Sequence, residues 1–402
     1  MSAQTSPITR RQEIALVTGR ELRAHLMKKS TIILTLVLLV AAIGSIIGIK
    51  LYSSGQDQAY RVGLKGVTVA QAAGLDKVAA SNGETIELVD VSAHQAKDVL
   101  ADDAPQGTPH VDMVLDVSGS APTITLNNGV DIPQIGYGVF LTPPEETERA
   151  VLEAFEVGYR HVDTAQAYRN EEGVGAAVAA SGLPREDIFL TTKVWISNAG
   201  EERAARSIDG SLRRLGTDYI DLLLVHQPFG DYYGTYRAME KALAAGKVRA
   251  IGVSNFFPDR FVDLAQHVEV PPAVNQMETH VFNQQADNRA WYAKYDTALE
   301  SWGPLAQGRN NIFTHPVLTA VGEKHGKTAA QVALRYLIQL GIIVIPKTVH
   351  RERMVTNLDV TDFRLDDADM HSIAALDEGQ GVVDHYDPAL QERLASFTVE
   401  ED

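Results

Sequence analysis

Six short apolar runs in this sequence end on polar residues: HVD on Asp163, FLTTK on Lys193, LLLVH on His226, IGVSN on Ser254 and Asn255, AVNQ on Gln276 and VIPK on Lys347. A charge or amide at the end of an apolar strand is costly unless it is paired or used, and six such ends in register point to one shared site. What the chain lacks limits the chemistry open to them. No cysteine occurs among its 402 residues, which removes thiol nucleophiles, disulfides, iron–sulfur clusters and cysteine zinc sites. Its histidines never stand in the HExxH spacing, so a zinc hydrolase is unsupported and no metal is expected. A net charge of −16 speaks against binding a phosphate backbone, and no nucleic-acid partner is expected. No GxGxxG joins a strand to a helix; Gly136, Tyr137 and Gly138 carry only a superficial likeness to it. Carboxylate, ammonium, imidazole and amide groups remain, and they serve proton transfer or ion pairing. Taken alone, Asp163 and Lys193 also read as a structural ion pair.

The elements that position these residues follow from the pattern beyond residue 121. A hairpin comes first, with Asn127, Asn128 and Gly129 at the turn of TITLNNGVDIP. Eight β-branched or apolar runs follow: IGYGV, HVDTA, IFLTTKV, DLLLVHQ, AIGVSN, AVNQME, ALESW and IIVIPKT. Between them lie amphipathic stretches such as ETERAVLEAFEVG, YGTYRAMEKALAAG and TAAQVALRYLIQLG, the last two closing on Gly246 and Gly341. Repeated βα units predict an α/β fold, a (β/α)8 TIM barrel with an N-terminal β-hairpin. In such a barrel the loops at the C-terminal ends of the strands converge over the axis, which gathers the six polar ends.

The first third of the chain has a different character. Thr31 to Ile49 carries no charge and would span roughly 28 Å as a helix, close to a bilayer's hydrocarbon thickness. Arg10, Arg11, Arg20, Arg23, Lys28 and Lys29 precede it against Glu13 and Glu21, so the positive-inside rule keeps the N-terminus cytoplasmic. Gly44 and Gly48 form a GxxxG spacing, which is common in membrane helices and weak alone. Strand-like pieces at Thr85 to Val89 and Val111 to Leu115, with a helical stretch around Ala93 to Leu100, read as a small α/β fragment. The predicted organisation is a basic cytoplasmic segment over 1–30, a transmembrane helix over 31–50 in contact with the lipid bilayer, a small extracytoplasmic fragment over 51–118 and the barrel over 119–402. The N-terminal part resembles the beginning of an ABC-type export permease. No further spanning run follows, so transport by this chain is not expected.

Over roughly residues 121 to 390 the sequence resembles the aldo-keto reductase superfamily, nearest to its 2,5-diketo-D-gluconate reductase-like members. GYRHVDTAQAYRNEEGVG from Gly158 to Gly175 is close to a full family signature, and LLLVHQP, IGVSNF, VNQMETH, ESWGPLAQG and IPKTVHRERMVTN match in order and spacing. The resemblance implies an NADPH-dependent oxidoreductase that reduces small aldehydes or ketones. It makes Tyr168 the general acid, Lys193 the cation that brings the phenol toward the working range, Asp163 the partner of Lys193, and His226 the group that orients the carbonyl. It places Ser254, Asn255 and Gln276 on the nicotinamide amide, with Trp302 stacked on the ring where many relatives carry tyrosine. Gly138 and Val139 also fall among its cofactor contacts, and Leu305 and Gln307 approach the pyrophosphate. Lys347, Thr348 and Arg353 meet the 2′-phosphate and Asn357 the adenine, which favours NADPH over NADH; Thr356 replaces the glutamate usual in relatives.

Substrate contacts are expected from His226 and Trp195, with Phe229 and the tail around His385 to Phe397 nearby. Gln227 stands where tryptophan is common and opens or polarises the pocket. His161 and His280 match no catalytic position of the family and are read as structural. A second function class is a membrane-tethered regulatory or binding barrel, which the intact tetrad disfavours. The two parts disagree on topology, because an N-in single span carries the barrel away from cytoplasmic NADPH. A single-pass membrane protein is expected of the full chain; initiation at Met113 instead would give the barrel alone, in the cytoplasm.

Overall fold

The computed structural model describes residues 60–65, 86–90, 113–116 and 122–399. The chain divides into two compact units, Met1–Ser120 and Ala121–Asp402. In the first, strands β1 (Tyr60–Lys65), β2 (Ile86–Asp90) and β3 (Met113–Asp116) form a parallel sheet in the order β2-β1-β3. The last two coincide with the expected strand-like pieces. The stretch around Ala93 to Leu100 and the whole permease-like beginning up to residue 59 lie outside the described residues.

The single-pass membrane placement is corrected. Among the described residues no helix is long and apolar enough to cross a membrane. The longest of them, Glu201–Leu215, has 15 residues and carries four arginines, whereas a span needs about 20 mostly apolar ones. The expected spanning segment, residues 31–50, lies outside the described residues, so the membrane and bilayer expectations have no described element to rest on.

In the second unit the hairpin forms as read. Strands β4 (Thr123–Thr125) and β5 (Asp131–Pro133) pair antiparallel, Ile124 opposite Ile132, across a turn in which Gly129 takes φ 83°. That left-handed conformation is one glycine adopts without steric cost. All eight expected strands follow as one parallel sheet: β6 (Tyr137–Gly138), β7 (His161–Asp163), β8 (Phe189–Val194), β9 (Ile220–Val225), β10 (Val248–Ser254), β11 (Val274–Glu278), β12 (Ala298–Trp302) and β13 (Ile343–Val344). The sheet closes into a barrel where Ile135 bridges Val344 in parallel and Gly136 N donates to Val344 O at 2.8 Å. The seam is short because Pro346, with no N–H, ends the donor side of the ladder, leaving only its carbonyl to accept from Gly138 N at 3.2 Å.

Helices α1 (Pro144–Val157), α2 (Glu171–Ala180), α3 (Glu201–Leu215), α4 (Tyr232–Ala244), α5 (Pro258–His267), α6 (Ala286–Ala293), α7 (Pro316–His325), α8 (Ala329–Gln339) and α9 (Arg351–Leu358) follow the strands, with α10 (Asp367–Ala374) and α11 (Pro388–Ser396) beyond them. Their ends have local causes. Pro144 starts α1 with φ already helical, Gly158 ends it at φ 119°, and Thr328 with Gln331 forms a reciprocal capping box at α8.

Alternation along the strands sorts the core into two populations. Leu222 and Leu224 of β9 join Phe189, Ala250, Val274 and Ile343 with Leu126 and Ile132 of the hairpin, a cluster that contains strand and hairpin residues but none from a helix. This is the barrel interior at its N-terminal end. Leu223 and Val225, one residue out of phase, pack in the larger cluster that includes the helices. Along β8 the inward residues run from Phe189 through Thr191 to Lys193, and along β7 from His161 to Asp163, so these strands change from apolar or neutral to charged toward their C-terminal ends.

Candidate active site

Each polar strand end has a definite position. Asp163 is the last residue of β7, Lys193 the last but one of β8, and His226 follows β9 immediately, its N–H donating to Val194 O at 3.1 Å. Tyr168 ends a 3-10 turn, Gln166–Tyr168, which stops because Arg169 turns left-handed at φ 57°.

Lys193 is fully buried and all three of its N–H donors are engaged: Asp163 Oδ1 at 2.5 Å, Thr164 O at 2.9 Å and Tyr168 Oη at 3.5 Å. Burial alone disfavours the ammonium, but Asp163 and Tyr168 outweigh it and hold Lys193 above its usual range. The second Asp163 oxygen accepts from Gln276 Nε2 at 2.8 Å, and the same nitrogen reaches Glu300 Oε2 at 2.9 Å.

The His226 ring meets Tyr168 edge-on at 5.6 Å between centroids and Trp195 at 5.0 Å. Burial, then the charges of Lys193 and His385, hold its imidazole well below the usual value, so it is neutral at pH 7. Its Nδ1 is buried without a partner. A proton on Nδ1 would be an orphan donor, which leaves Nε2–H as the tautomer and makes that nitrogen a donor to a substrate oxygen.

Lys193 acts on Tyr168 in the expected direction, against a larger opposing effect. Burial pushes the phenol above its usual value and the attraction of Lys193 offsets only part of that. Desolvation, which sequence spacing does not reveal, outweighs the cation in the ligand-free site.

The residues expected on a nicotinamide sit on adjacent strand ends. Trp302, partly exposed, donates from Nε1 to Asn255 Oδ1 at 2.8 Å; Asn255 Nδ2 donates to His226 O and to Ser254 Oγ, each at 3.1 Å. Asn255 stands at φ 64°, a conformation asparagine tolerates better than most residues. Gln276 joins this group by position, but its amide nitrogen faces down toward Asp163 and Glu300. Leu305 is partly buried and Gln307 exposed, beside a left-handed run at Ala306, Gln307 and Gly308. Lys347 and Arg353 are exposed cations with no ion-pair partner among the described residues. Thr348 and Asn357 are buried beside them. Gly138 and Val139 lie in the closure seam: a Cβ on Gly138 would come within 3.0 Å of Ile345 O, and Val139 is fully buried. An open indole, amide and hydroxyl groups beside it, and two unpaired cations one strand away fit a phosphorylated nicotinamide dinucleotide.

Trp195 and Phe229 are buried at the mouth, and the tail crosses it: Trp195 Nε1 donates to Phe397 O at 2.7 Å and Arg169 Nη2 to Thr398 O at 3.0 Å. Gln227 Oε1 is buried without a partner, so the replacement polarises its surroundings. His161 and His280 are hydrogen-bonded interior residues. Several residues escaped the sequence reading. Gln166 ties the Tyr168 turn to Trp195 N, Asn198, Ser207 and Ser211, and Asn170 binds Val139 O and Thr142 O. Both lie within the signature that carries Asp163 and Tyr168. Phe140, half exposed, packs on Tyr168 at 5.1 Å, and Glu300 hides inside the strand ALESW.

Comparison with known proteins agrees with this geometry. A family model described as "Aldo/keto reductase family" matches residues 134–378. An aldo-keto reductase of Mycolicibacterium smegmatis is 49% identical over 263 residues, which is 65% of this chain and 95% of that protein. A glyoxal reductase of Bacillus subtilis is 42% identical over 262 residues, 65% of this chain and 94% of its own length. The crystal structure of a Bombyx mori aldo-keto reductase in complex with NADP superposes with a TM-score of 0.63 at 33% identity, covering 66% of this chain and 95% of that one. These relatives are matched almost end to end by about two thirds of this chain.

Proposed function

The chain belongs to the aldo/keto reductase family, and from that premise we propose that it reduces small aldehydes and ketones to alcohols, with Tyr168 as the proton donor. It is an NADP-dependent oxidoreductase acting on carbonyl groups. When bound, NADPH supplies the hydride that adds to the carbonyl carbon. Ser254, Asn255, Gln276 and Trp302 would hold the nicotinamide, and Leu305 and Gln307 the pyrophosphate. Lys347, Thr348 and Arg353 would hold the 2′-phosphate and Asn357 the adenine.

The protein's own work is at the carbonyl oxygen. His226 Nε2–H donates to that oxygen and fixes its position above Tyr168. As negative charge gathers on the oxygen, Tyr168 passes its phenolic proton to it, and Lys193 at 3.5 Å stabilises the phenolate that is left. Asp163 keeps the ammonium aimed at the phenol. The single observation that carries this reading is the chain of contacts Asp163, Lys193, Tyr168, with the His226 ring against the phenol. Trp195, Phe140 and Phe229 form an aromatic rim suited to small substrates, and the glyoxal reductase relative supports small dicarbonyls among them.

The test is consumption of NADPH by the full chain against glyoxal, methylglyoxal and simple aliphatic aldehydes, with identification of the alcohol product. Turnover with stoichiometric alcohol is the expected result. A folded protein that binds NADPH and consumes none with any carbonyl would make it a binding barrel.

A further inference from the structure

Beneath the tetrad lies a carboxyl group the mechanism has not used. Glu300, on β12, is fully buried inside the barrel. Gln276 Nε2 donates to Glu300 Oε2 at 2.9 Å and to Asp163 Oδ2 at 2.8 Å, so two carboxyl groups converge on one amide. The other charged and titratable groups facing them are Lys193 on β8, His161 on β7 and, beyond Lys193, Tyr168. None of them neutralises Glu300. The three donors of Lys193 go to Asp163, Thr164 O and Tyr168. His161 Nδ1 lies 3.3 Å from Pro133 O, a pure acceptor, so Nδ1 carries the imidazole proton and Nε2 is left as an acceptor shared with Thr191 Oγ1 at 3.1 Å. Glu300 Oε1 is 3.6 Å from that Nε2 and has no donor of its own. An ionised Glu300 would therefore be a buried second negative charge without a cation, whereas a protonated one can aim its O–H at His161 Nε2.

Resting on the reductase reading, we infer that Glu300 is a positioning residue that sets the alkaline limit of carbonyl reduction. It is a neutral acid held between Gln276 and His161, and its ionisation adds charge beside Asp163 and Lys193 and weakens Tyr168 as a proton donor. The electrostatics agree in sign. Burial and then Asp163 push the Glu300 carboxyl up to about 8, and burial takes His161 down to about 3. A charge on Glu300 holds both Lys193 and Tyr168 in their protonated forms. For the phenol, that means slower release of its proton to substrate.

Two readouts on the full chain test this separately from turnover itself. Infrared difference spectra across about pH 6 to 10 follow protonated carboxyl groups directly. Wild type is expected to lose a buried carboxylic-acid band near pH 8, and Glu300→Gln to lack that band. The second readout is the pH profile of NADPH-dependent reduction. The alkaline limb of wild type is expected near the same pH, and Glu300→Gln is expected to move it upward by about one unit or more, a change of roughly tenfold in the variant-to-wild-type ratio on the limb. The absence of a carboxylic acid titrating in that range in wild type overturns the proposal whether or not the variant folds. So does an unmoved limb in a folded Glu300→Gln. If wild type shows the band yet reduces no carbonyl, the reductase reading fails and the pH-limiting role falls with it, while the protonated carboxyl stands.

Discussion

The two ends of the barrel are built from the same strands and differ in almost everything else. At the hairpin end Leu126, Ile132, Phe189, Leu222, Leu224 and Val274 fill the interior with hydrocarbon. At the other end Asp163, Lys193, Gln276 and Glu300 fill the same cross-section with charges and amides, and order is kept by hydrogen bonds. Burying a leucine contributes roughly 2 kcal/mol, whereas a buried ion pair close to breaks even and becomes costly once one partner is lost. One end therefore supplies stability and the other holds chemical groups in an environment that shifts their proton affinities. Because side chains alternate with period two, one strand serves both: β8 contributes Phe189 to the apolar end and Lys193 to the polar one.

The comparison breaks most visibly at Lys193. Lys193→Met removes the cation paired with Asp163, and reduction should fall by about a thousandfold or more while folding loses roughly 3–5 kcal/mol. Steady-state kinetics and urea unfolding check the two losses together. Leu222→Ala probes the opposite end: about 2–5 kcal/mol of stability should go, with turnover per folded molecule unchanged. A fall in that specific activity would show that the ends are not separable.

A third prediction concerns Glu300 and stability. Its folded-state value is raised from 4.5 to about 8, so the folded protein holds a proton the unfolded chain gives up. That contribution is full below about pH 4.5 and is lost as pH rises through about 8. Glu300→Gln does not titrate, and relative to wild type it should gain more than about 1 kcal/mol between pH 5 and pH 8. Unfolding curves at the two pH values decide it. The smallest effect is expected at the rim, where Arg353→Ala should weaken NADPH binding by about tenfold and NADH binding far less, as fluorescence titration with each nucleotide would report.

Much of this was legible because the strands are short runs of β-branched and aliphatic residues that end on polar ones. FLTTK and HVD announce both a strand and its polar end, and the signature from Gly158 to Gly175 carries Asp163 and Tyr168. What escaped was set by burial. The resemblance implies Lys193 beside Tyr168 but not the desolvation that outweighs it. Gln166 and Asn170 act through side chains that bind backbone far along the chain, which residue type and spacing do not announce. Glu300 was a missed warning, since a carboxylate in the middle of an apolar strand needs an explanation. The uncharged run from Thr31 to Ile49 gives a strong local signal for a membrane span, and no helix among the described residues is long and apolar enough to be one.

The most direct measurement of the central claim is carbonyl reduction by Tyr168→Phe in the full chain, alongside its NADPH affinity. The account predicts that the variant binds NADPH as wild type does and loses turnover by about a hundredfold or more, since only the phenolic oxygen is removed. Wild-type turnover by Tyr168→Phe would contradict it and move the proton donor elsewhere in the barrel.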